Sequence, residues 1–372
     1  MKSMFRKFWI VVILAVFALV ETAQAQPTTS AVPFLLIAPN SRASGLGESG
    51  VAVADDAWAQ YWNPAGLAFQ TGSEFSLSHA NWLPQFQLPE LWIAHAVYKQ
   101  YFEEVNGTVA LGIAFLNLGE FNRTLPTGPE VVGTFKSYEF AVTGGYGTKL
   151  SDSWGIGVNA RFIYSRLSPF GTAQEQGRGI ASGFSFDAGF MYKPKYLIFE
   201  RLPMDERLSF GLNVSNIGPN LTYVDKAQSD PLPMNFRIGG AYQIVKDTYN
   251  SLSFNIDFNK LLIRRDSTVT DPFYKAIVTS WYDKPFSKEL REFVTGLGLE
   301  YWYDDPRLVG LRVGYFYEDP EFGNRKFLTF GAGIRYNMYG FDFSYISTFE
   351  ERHPLSETLR FTLSIAWGRG GE

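Results

Sequence analysis

The sequence of 372 residues contains no cysteine. This absence excludes a disulfide scaffold, a thiolate metal site, a cysteine nucleophile and a lipidated cysteine anchor. After residue 25, no run approaches the roughly 20 apolar residues of a membrane-spanning helix, which excludes a polytopic helical membrane protein. An excess of basic residues is missing too, because 33 Lys and Arg are set against 37 Asp and Glu. Nucleic acid is therefore not expected as a partner, since its binding usually needs a clustered basic face.

Patterns typical of catalysis or metal binding are also missing. The sequence has neither a Gly-x-Ser-x-Gly elbow nor a His-Glu-x-x-His motif. Its three histidines, His79, His95 and His353, lie far apart in the sequence. Neighbouring strands could bring His79 and His95 close together, but a role at the membrane interface or in a lumen is favoured over a metal site. Asp55 and Asp56 resemble an acid/base pair, but adjacent residues on a short turn point in different directions, which favours capping and packing. We therefore predict no enzyme activity, no cofactor and no metal site.

Residues 1–25 are typical of a secretory signal peptide. A basic start is followed by an apolar core at 8–20 and by the small residues Ala23 and Ala25 of a cleavage site. The alternative is an uncleaved anchor helix, but an apolar stretch of about 13 residues is short for a bilayer span. The pattern therefore predicts an exported protein whose mature chain begins at Gln26.

Apolar and polar residues alternate along most of the chain from residue 73 onward, as they do in strands with two different faces. The 35 glycines and the 17% of aromatic residues also agree with many strands. We predict fourteen strands of roughly 10–15 residues, the length that a tilted transmembrane strand needs. Their spans are 73–83, 89–99, 107–118, 135–149, 153–167, 181–193, 206–217, 234–245, 250–261, 293–303, 308–317, 326–337, 340–349 and 357–367.

The links between the predicted strands differ in length at the two ends of the sheet. Those after even-numbered strands are mostly tight turns, at 151–152, 304–307 and 337–340. Those after odd-numbered strands tend to be longer, about 16 residues at 119–134 and about 30 at 262–292. The links at 84–88 and 194–205 depart from this rule. Since outer-membrane barrels combine short periplasmic turns with longer outer loops, the alternation predicts sidedness as well as fold.

The polar face of the predicted strands carries small residues and charges, which suits a solvated or plugged lumen better than a dry core. Its charged members are Arg161, Asp187, Arg237, Asp257, Arg312, Arg335, Asp342 and Arg360. We expect Asp187, Asp257, Arg161 and Arg335 to pair across strands, because a water-poor lumen favours paired charges. The alternative is a soluble sandwich, propeller or lectin, which would hide its apolar face against a second sheet. The segments and the export signal favour an all-β, 14-stranded antiparallel transmembrane β-barrel over 73–367, with a tail at 368–372.

Residues 26–72 do not alternate, and we expect them to form a short glycine-rich hatch folded against the barrel wall. Gly45, Gly47 and Gly50 match a Gly-x-Gly-x-x-Gly phosphate loop, but no buried strand precedes them and no βαβ unit surrounds them. Residues 55–60 are expected to form one or two helical turns that an aspartate caps and that stop before Pro64.

The same segment carries the residues by which the chain resembles a known family. Ser-Arg-Ala-x-Gly-Leu-Gly-Glu-x-Gly-Val-Ala at 41–52, the acidic pair at 55–56 and Trp-Asn-Pro-Ala at 62–65 resemble the PorV/PorQ family of the type IX secretion system. More distantly, Asn-Pro-Ala resembles the box of FadL-type transporters of hydrophobic compounds. The resemblance covers about 30 residues and implies a FadL-like barrel of the bacterial outer membrane. It also implies that PorV-type members bind the C-terminal domain of secreted cargo and that PorQ-type members belong to the attachment complex.

The resemblance leads to two expectations of function. The first is a barrel in outer-membrane lipid that binds cargo C-terminal domains, the secretion translocon or the sortase-type attachment complex without catalysis. The alternative is a FadL-like outer-membrane transporter of hydrophobic small molecules. In the hatch, the candidate binding residues, which we interpret as architectural, are Asp55, Asp56, Trp62, Asn63 and Pro64. On the outer loop, Trp281 and Tyr282 are candidate partner contacts, with a solvated helical turn as the alternative.

Overall fold

The computed structural model describes residues 30–125, 128–170, 178–196, 207–224, 229–264, 270–304, 307–350 and 353–368. The predicted signal peptide lies outside the described residues, and so does the predicted tail apart from Gly368. Within these ranges, no helix combines the length and the apolar character needed to cross a membrane.

Fourteen antiparallel strands form a closed barrel in which each strand pairs with its neighbours in the chain. The strands are β1 (Ser73–Asn81), β2 (Trp92–Phe102), β3 (Gly107–Leu125), β4 (Gly128–Lys149), β5 (Trp154–Ser168), β6 (Gly179–Tyr192), β7 (Leu208–Ile217), β8 (Asn235–Lys246), β9 (Asn250–Leu261), β10 (Val294–Tyr303), β11 (Val309–Tyr317), β12 (Lys326–Tyr336), β13 (Tyr339–Thr348) and β14 (Leu359–Trp367). The barrel closes between β1 and β14, whose register runs from the pair Ser73 and Trp367 to the pair Ala80 and Arg360. The predicted fold class and the fourteen strands are confirmed.

The two faces of the strands lie in different environments. Outward-pointing side chains such as Leu77, Phe184 and Leu363 are apolar and exposed. Inward-pointing ones such as Ser76 and Arg360 are polar and buried. An apolar outer band with a polar interior is the arrangement that lipid imposes on a transmembrane barrel.

The hairpin of β3 and β4 is longer than the sequence predicts. The predicted loop at 119–134 is wrong, because β3 continues to Leu125 and β4 begins at Gly128. The pairing of the two strands shifts register between Asn117 and Gly119 and again further along the hairpin. Each such bulge adds a residue to one strand and interrupts the alternation on which the prediction depends.

The connections at the two ends of the barrel differ in length, as predicted. One end, which we call the turn end, carries the connections at 103–106, 150–153, 247–249, 304–308 and 337–338. The opposite end, which we call the loop end, carries those at 82–91, 169–178, 218–234, 262–293, 318–325 and 349–358. The connection at 193–207 is the long exception at the turn end. In outer-membrane barrels the short turns face the periplasm.

Residues 30–72, which we call the inner segment, lie against the inward face of the barrel. The segment starts near the loop end, where the amide of Ala31 donates to the carbonyl of Pro231 at 2.9 Å. It reaches the turn end, where Lys99 donates to the carbonyl of Thr71 at 2.6 Å. Its helical parts are two 3₁₀ turns at Pro33–Leu36 and Pro64–Phe69 and the one-turn helices α1 (Ser41–Ser44) and α2 (Ala59–Trp62).

The connections contain 3₁₀ turns at Pro84–Phe86 and Glu103–Val105 and the helices α3 (Phe273–Thr279) and α4 (Phe286–Arg291).

The helix predicted at 55–60 forms four residues later than expected. A turn capped by Asp56 precedes it, and α2 begins only at Ala59. The helix ends at Trp62, and Asn63 is extended, with φ −163°. Extended geometry before Pro64 follows from the clash between a proline ring and a preceding helical residue.

Candidate functional site

Arg42 connects the inner segment to the barrel wall. Its buried side chain forms two hydrogen bonds with the carboxylate of Glu300 on β10, at 2.8 and 2.7 Å. Arg312 of β11 donates to the same carboxylate at 2.8 Å and to Asp342 of β13 at 2.8 Å. Arg335 of β12 completes this chain of alternating charges through Asp342 at 2.7 Å. Buried charges are tolerated when they are paired and hydrogen-bonded in this way.

Asp55 and Asp56 both contact Arg42 but differ in environment. Asp55 forms an ion pair with Arg42 and lies 3.4 Å from Arg307. Burial opposes the ionisation of Asp55, but these two guanidinium groups outweigh it and lower the pKa of Asp55. Asp56 accepts a hydrogen bond of 2.9 Å from the amide of Trp58, and its other oxygen lies 3.5 Å from Arg42. Burial raises the pKa of Asp56 to about 7, against the opposing effect of Arg42.

The Asn63–Pro64 box is docked on the barrel wall. The fully buried Asn63 donates from Nδ2 to the carbonyl of Val51 at 3.1 Å and to that of Phe190 on β6 at 3.0 Å. Its Oδ1 accepts a hydrogen bond of 3.1 Å from the amide of Ala65 and so caps the following 3₁₀ turn. The donor and acceptor groups of the Asn63 side chain thus all bind backbone groups. In this way Asn63 holds the inner segment to β6.

Trp62 lies between the inner segment and β8. Its indole N–H donates to Oδ1 of Asn40 at 2.9 Å. The guanidinium of Arg237 on β8 lies 4.8 Å from the centre of the ring, within the range of a cation–π contact. The tryptophan therefore links two turns of the inner segment and one strand of the wall.

The amides of the glycine run donate to acceptors on the barrel wall. Asp257 of β9 accepts hydrogen bonds from Gly50 at 2.6 Å and from Val51 at 2.8 Å. The hydroxyl of Thr329 on β12 accepts one from Gly47 at 2.9 Å. Among the described residues, Asp257 forms no direct ion pair; its Oδ2 accepts both backbone amides, and the charge of Arg237 on β8 acts on it from a longer distance. These acceptors also explain the glycine run without a phosphate.

Two of the expected charge pairs form across strands. Arg161 of β5 and Asp187 of β6 form an ion pair of 2.7 Å, as expected. Arg335 also forms a cross-strand pair, with Asp342. Both pairs lie on the polar face of the strands, so this face was assigned correctly from the alternation.

His79 and His95 lie on adjacent strands but on opposite faces. His95 is buried on the inward face, and its ring centre lies 6.4 Å from that of Trp58. His79 pairs with Ala94 one register position away and is exposed on the outward face. Across the part of the chain that the structure describes, no group of three or more histidine or carboxylate side chains could hold a metal ion.

The connection between β9 and β10 packs across the outer wall near the loop end. Lys260 shares the outward face of β9 with Phe258, yet its side chain is 0% exposed because α4 covers it. It forms ion pairs with Glu289 at 2.7 Å and with Glu292. Arg291 of α4 joins the next connection through Asp319 at 2.9 Å. Ion pairs therefore hold α4 to the barrel and to the neighbouring loop.

Among the described residues of this connection, five apolar side chains are more than half exposed, with exposed fractions from 55% at Leu290 to 77% at Phe286. This outer-loop patch consists of Tyr274, Val278, Tyr282, Phe286 and Leu290. Tyr282 thus lies in the patch. Trp281 is partly covered instead, since its ring packs edge-on against Phe236 at 5.1 Å and its N–H donates to the carbonyl of Ile277 at 3.0 Å.

Glu300 and Lys260 are site residues that the sequence reading missed. The signal for Glu300 was a lone acid on the polar face of an alternating strand. The signal for Lys260 was its position on the same outward face of the strand as the phenylalanines. A charge on a face that contacts lipid is costly, so another part of the protein is expected to cover it. Phe286 and Leu290 were also missed, because a four-residue spacing on a short helix is as typical of a core-facing stripe as of an exposed one.

The sequence matches the family model of the type IX secretion system protein PorV over residues 20–268. The chain belongs to the PorV family. The family and the fourteen-stranded barrel place the protein in the bacterial outer membrane. No curated protein matches the chain in sequence.

Solved structures of similar fold include toluene transporters and a monoaromatic hydrocarbon channel. The P. putida toluene transporter TodX is 11% identical, with a TM-score of 0.51, over 89% of this chain and 98% of TodX. A TodX channel with the deltaS2 mutation is 13% identical, with a TM-score of 0.51, over 88% of this chain and 96% of that one. The Ralstonia pickettii toluene transporter TbuX is 12% identical, with a TM-score of 0.47, over 90% and 98%. At these identities, the similarity to TodX shows the fold alone.

The PorV-family barrel contains cavities of different character around its inner segment. An apolar cavity of about 50 Å³ lies between the inner segment and the wall, lined by Phe34, Leu35, Trp58, Val97 and Ala141 among others. A cavity of about 110 Å³ at the loop end is lined by charges, including Glu48, Arg237 and Arg325. A larger cavity, of about 580 Å³, opens at the turn end.

Proposed function

We propose that this PorV-family barrel is a non-catalytic docking protein of the type IX secretion system. It binds exported cargo through the cargo C-terminal domain and engages the translocon or the sortase-type attachment complex. The outer-loop patch is the observation that carries this proposal. Tyr274 and Val278 lie one helical turn apart on α3, and Phe286 and Leu290 lie one turn apart on α4, so each pair shares a face of its helix. Exposed apolar surface of this kind marks sites of protein or membrane interaction.

The composition and support of the patch favour a protein partner. Tyrosine and phenylalanine provide large contact areas with few rotatable bonds, and aromatic residues are enriched in interfaces. The ion pairs of Lys260 fix α4 before a partner arrives, which reduces the ordering entropy lost on binding. A rigid aromatic surface is therefore better suited to docking than a loop that must order first.

The position of the patch suggests that one partner lies in the same membrane. Trp281 packs on Phe236, which shares the outward face of β8 with the lipid-facing Ile238. The loop that carries the patch is thus continuous with the outer wall of the barrel. A membrane-embedded translocon can contact such a surface sideways, without leaving the bilayer.

The filled interior favours docking over conduction. We propose that the inner segment acts as a closed hatch, in agreement with its contacts. Arg42, Asn63 and Gly50 each bind a different strand of the wall through buried hydrogen bonds. Moving the segment would require these buried partners to separate together, which is costly for paired charges.

The second candidate function is transport of a hydrophobic small molecule. The apolar cavity beside Phe34 and Trp58 is the observation that favours it. Its volume of about 50 Å³ is well below the roughly 300–1,000 Å³ of pockets that bind drug-sized ligands. Transport by this route would therefore need the inner segment to move.

The decisive experiment is an affinity capture of the tagged protein from solubilised outer membranes, with mass spectrometry of proteins and lipids. The wild type is compared with Tyr282→Ser/Phe286→Ser, which removes two patch aromatics. Tyr249→Ser is the matched control, because Tyr249 is exposed at the turn end. We expect the wild type and the control to retain a large translocon barrel, a sortase-like protease or cargo that shares one C-terminal domain.

Loss of those proteins in the patch variant alone supports the docking function. Equal retention by all three proteins would reject the patch as the docking surface. Capture of the barrel alone, with a stoichiometric hydrophobic ligand, would reject the secretion role and favour the transporter.

A further inference from the structure

At the loop end, β6 extends beyond the strand with which it pairs on one of its two sides. Its pairing with β5 continues to Gly179, whereas its pairing with β7 ends where Phe186 is opposite Ile217. Among the described residues, no strand therefore lies beside 179–185 on the side of β7.

Buried polar contacts direct β7 away from β6 at this point. Asn216 adopts a left-handed conformation, with φ +61°, and its amide donates to Oδ1 of Asp187 on β6 at 2.8 Å. Its side chain donates to the carbonyl of Pro233 at 3.0 Å and accepts a hydrogen bond from Arg161. The pairing shifts register at the same place, as it does at a β-bulge. The departure of β7 from β6 is therefore a defined feature of the fold.

After β7 the chain continues inside the lumen. Gly218 still touches β6, because an added Cβ would lie 2.4 Å from the carbonyl oxygen of Phe184. Leu221 then packs against Gly183 from the inside and is only 2% exposed. We call residues 180–184 of β6, apart from the covered carbonyl of Phe184, the open edge.

The backbone groups of the open edge point away from β5. The amide of Lys193 donates to the carbonyl of Ser153 at 2.8 Å, so the odd-numbered residues of β6 are the ones that hydrogen-bond to β5. The backbone groups of the even-numbered residues Ser182 and Phe184 therefore face the side of β7. Among the described residues, no hydrogen bond reaches the amide or carbonyl of Ser182 or the amide of Phe184 on that side. The open edge thus presents unpaired amide donors and a carbonyl acceptor.

A second strand that extends beyond its neighbour has a covered edge. β3 passes the end of β2, but there the carboxylate of Glu90 accepts a hydrogen bond of 2.9 Å from the amide of Glu120. Natural proteins protect edge strands with charged side chains, proline or covering segments. The open edge of β6 has the sequence Ile-Ala-Ser-Gly-Phe, with neither a charge nor a proline. It therefore lacks the protection that β3 has.

The open edge lies at the border of the apolar band of the outer wall. Ser182 is opposite Tyr164 of β5, whose ring centre lies 6.1 Å from that of Tyr138 on β4. Tyrosines on neighbouring strands are typical of the membrane–water interface. Phe184, one step further towards the bilayer, is 61% exposed on the outward face. A partner can therefore reach the edge from the plane of the membrane or from the loop end.

We propose that the open edge of β6 binds an extended segment of a partner protein as an added antiparallel strand. The segment would take the position that β7 would occupy if it continued along β6. An extended chain carries amides and carbonyls at the spacing that the open edge needs, and strand addition to a sheet edge is a common mode of peptide recognition. The proposal does not depend on the outer-loop patch, which belongs to the connection between β9 and β10.

The pleat of β6 predicts the side chains of the added segment. On the outward face its neighbours are the apolar Ile180 and Phe184. On the inward face its neighbours are the small Ala181 and Gly183, behind which Leu221 leaves little room. Since side chains alternate between the two faces of a strand, the segment should alternate apolar and small residues.

The same geometry predicts which amides of the segment bind to β6. In an antiparallel pair, directly opposite residues lie on the same face and exchange both of their hydrogen bonds. Ser182 is exposed on the outward face and directs its backbone groups to the open side. The outward, apolar residues of the segment therefore donate to β6, whereas the amides of the small residues face away.

Fluorescence anisotropy with the full-length protein in detergent tests the proposal. The probe is a short labelled peptide in which valine alternates with serine, with a lysine at each end for solubility. Two reference peptides have the same side chains and equal numbers of N-methyl groups, placed on the valines in one and on the serines in the other. We expect N-methylated valines to weaken binding about tenfold or more, because the hydrogen bonds to β6 are lost. The peptide with N-methylated serines should bind as the unmethylated one does. Equal binding of the two methylated peptides, or weaker binding of the one with methylated serines, would overturn the proposal.

Ser182→Pro removes an amide of the open edge and leaves the hydrogen bonds between β5 and β6 in place, because this amide faces the open side. Ser182→Thr is the matched control, which keeps both the amide and a hydroxyl group. We expect Ser182→Pro to weaken binding of the unmethylated peptide about tenfold and Ser182→Thr to leave it unchanged. Gel mobility before and after heating shows whether each variant forms the barrel. If Ser182→Pro does not, the two methylated peptides decide the question on the wild type alone. Undiminished binding by a folded Ser182→Pro variant would place the peptide elsewhere and overturn the proposal, and so would absence of binding to the wild type.

Discussion

Replacing Lys260 tests how the outer-loop patch is held in place. Its ammonium group is fully buried between Glu289 and Glu292, whose side chains are 7% and 14% exposed. In Lys260→Met, Glu292 keeps its ion pair with Lys284, whereas Glu289 keeps a hydrogen bond from the amide of that lysine and one with Asp283 but loses its cation. The variant therefore leaves one buried carboxylate without a cation.

The expected effect is local opening of α4. Removing one partner of a buried ion pair costs roughly 3–5 kcal/mol, and the lower value applies because Glu292 retains Lys284. Burial raises the pKa of Glu289, but the hydrogen bond and charge of Lys260 lower it by more. The pKa of Glu289 in the native loop is therefore below its usual value. A change of about 3 kcal/mol corresponds to an opening equilibrium shifted by roughly 100-fold.

Hydrogen exchange followed by mass spectrometry measures this opening on peptides that cover α4. Lys275→Met is the matched control in the same connection, because Lys275 is 55% exposed and pairs with Asp271 at 2.9 Å. An exposed pair contributes about 0–1 kcal/mol, so this control should change exchange by no more than about fivefold. Exchange in α4 that rises no more in Lys260→Met than in Lys275→Met would refute the reasoning.

Two further predictions concern the inner segment. Gly189→Ala should destabilise the barrel by about 1–3 kcal/mol, because the added Cβ would overlap Oδ1 of Asn63, whereas Gly144→Ala should not, since nothing lies within 4 Å of its Cβ. Urea titration with a gel-mobility readout compares the two, and equal midpoints would contradict the close contact. Because burial raises the pKa of Asp56 from 3.8 to about 7, the protonated form is favoured by folding, and stability should fall as pH rises through about 7. Urea midpoints measured at about pH 5 and about pH 9 should differ in the wild type and agree in Asp56→Asn, and a wild type that is more stable at the higher pH would contradict the sign.

The alternation of residues was enough to predict most of the barrel. The span 250–261 predicted for the ninth strand coincides with β9, and the other strand ends differ mainly by a few residues. The prediction failed where β3 and β4 extend beyond the rest of the wall. Bulges there shift the pairing by one residue, so the period of two is lost although the strands continue.

The candidate site could be predicted only in part, because alternation assigns a face and not a partner. Arg42 was visible as part of a motif, but its partner Glu300 is 258 residues away in sequence. Asp257 was correctly placed on the inward face, yet its acceptor role became visible only with the path of the inner segment through the barrel. The contacts between the inner segment and the barrel wall depend on the path of the segment. The period-two pattern of the strands contains no information about that path.

The glycine run shows why a phosphate loop and a segment that fills a barrel resemble each other in sequence. In both cases an acceptor must come close to backbone amides. A side chain at these positions would block that approach, so both cases favour glycine. At Gly47 the backbone has φ +65°, and an added Cβ would lie 2.6 Å from the carbonyl oxygen of Leu297. The difference lies in the acceptor, which a nucleotide supplies in one case and the protein in the other. Because Asp257 and Thr329 bind the amides of this run, the motif here specifies how the inner segment is seated and not what the protein binds.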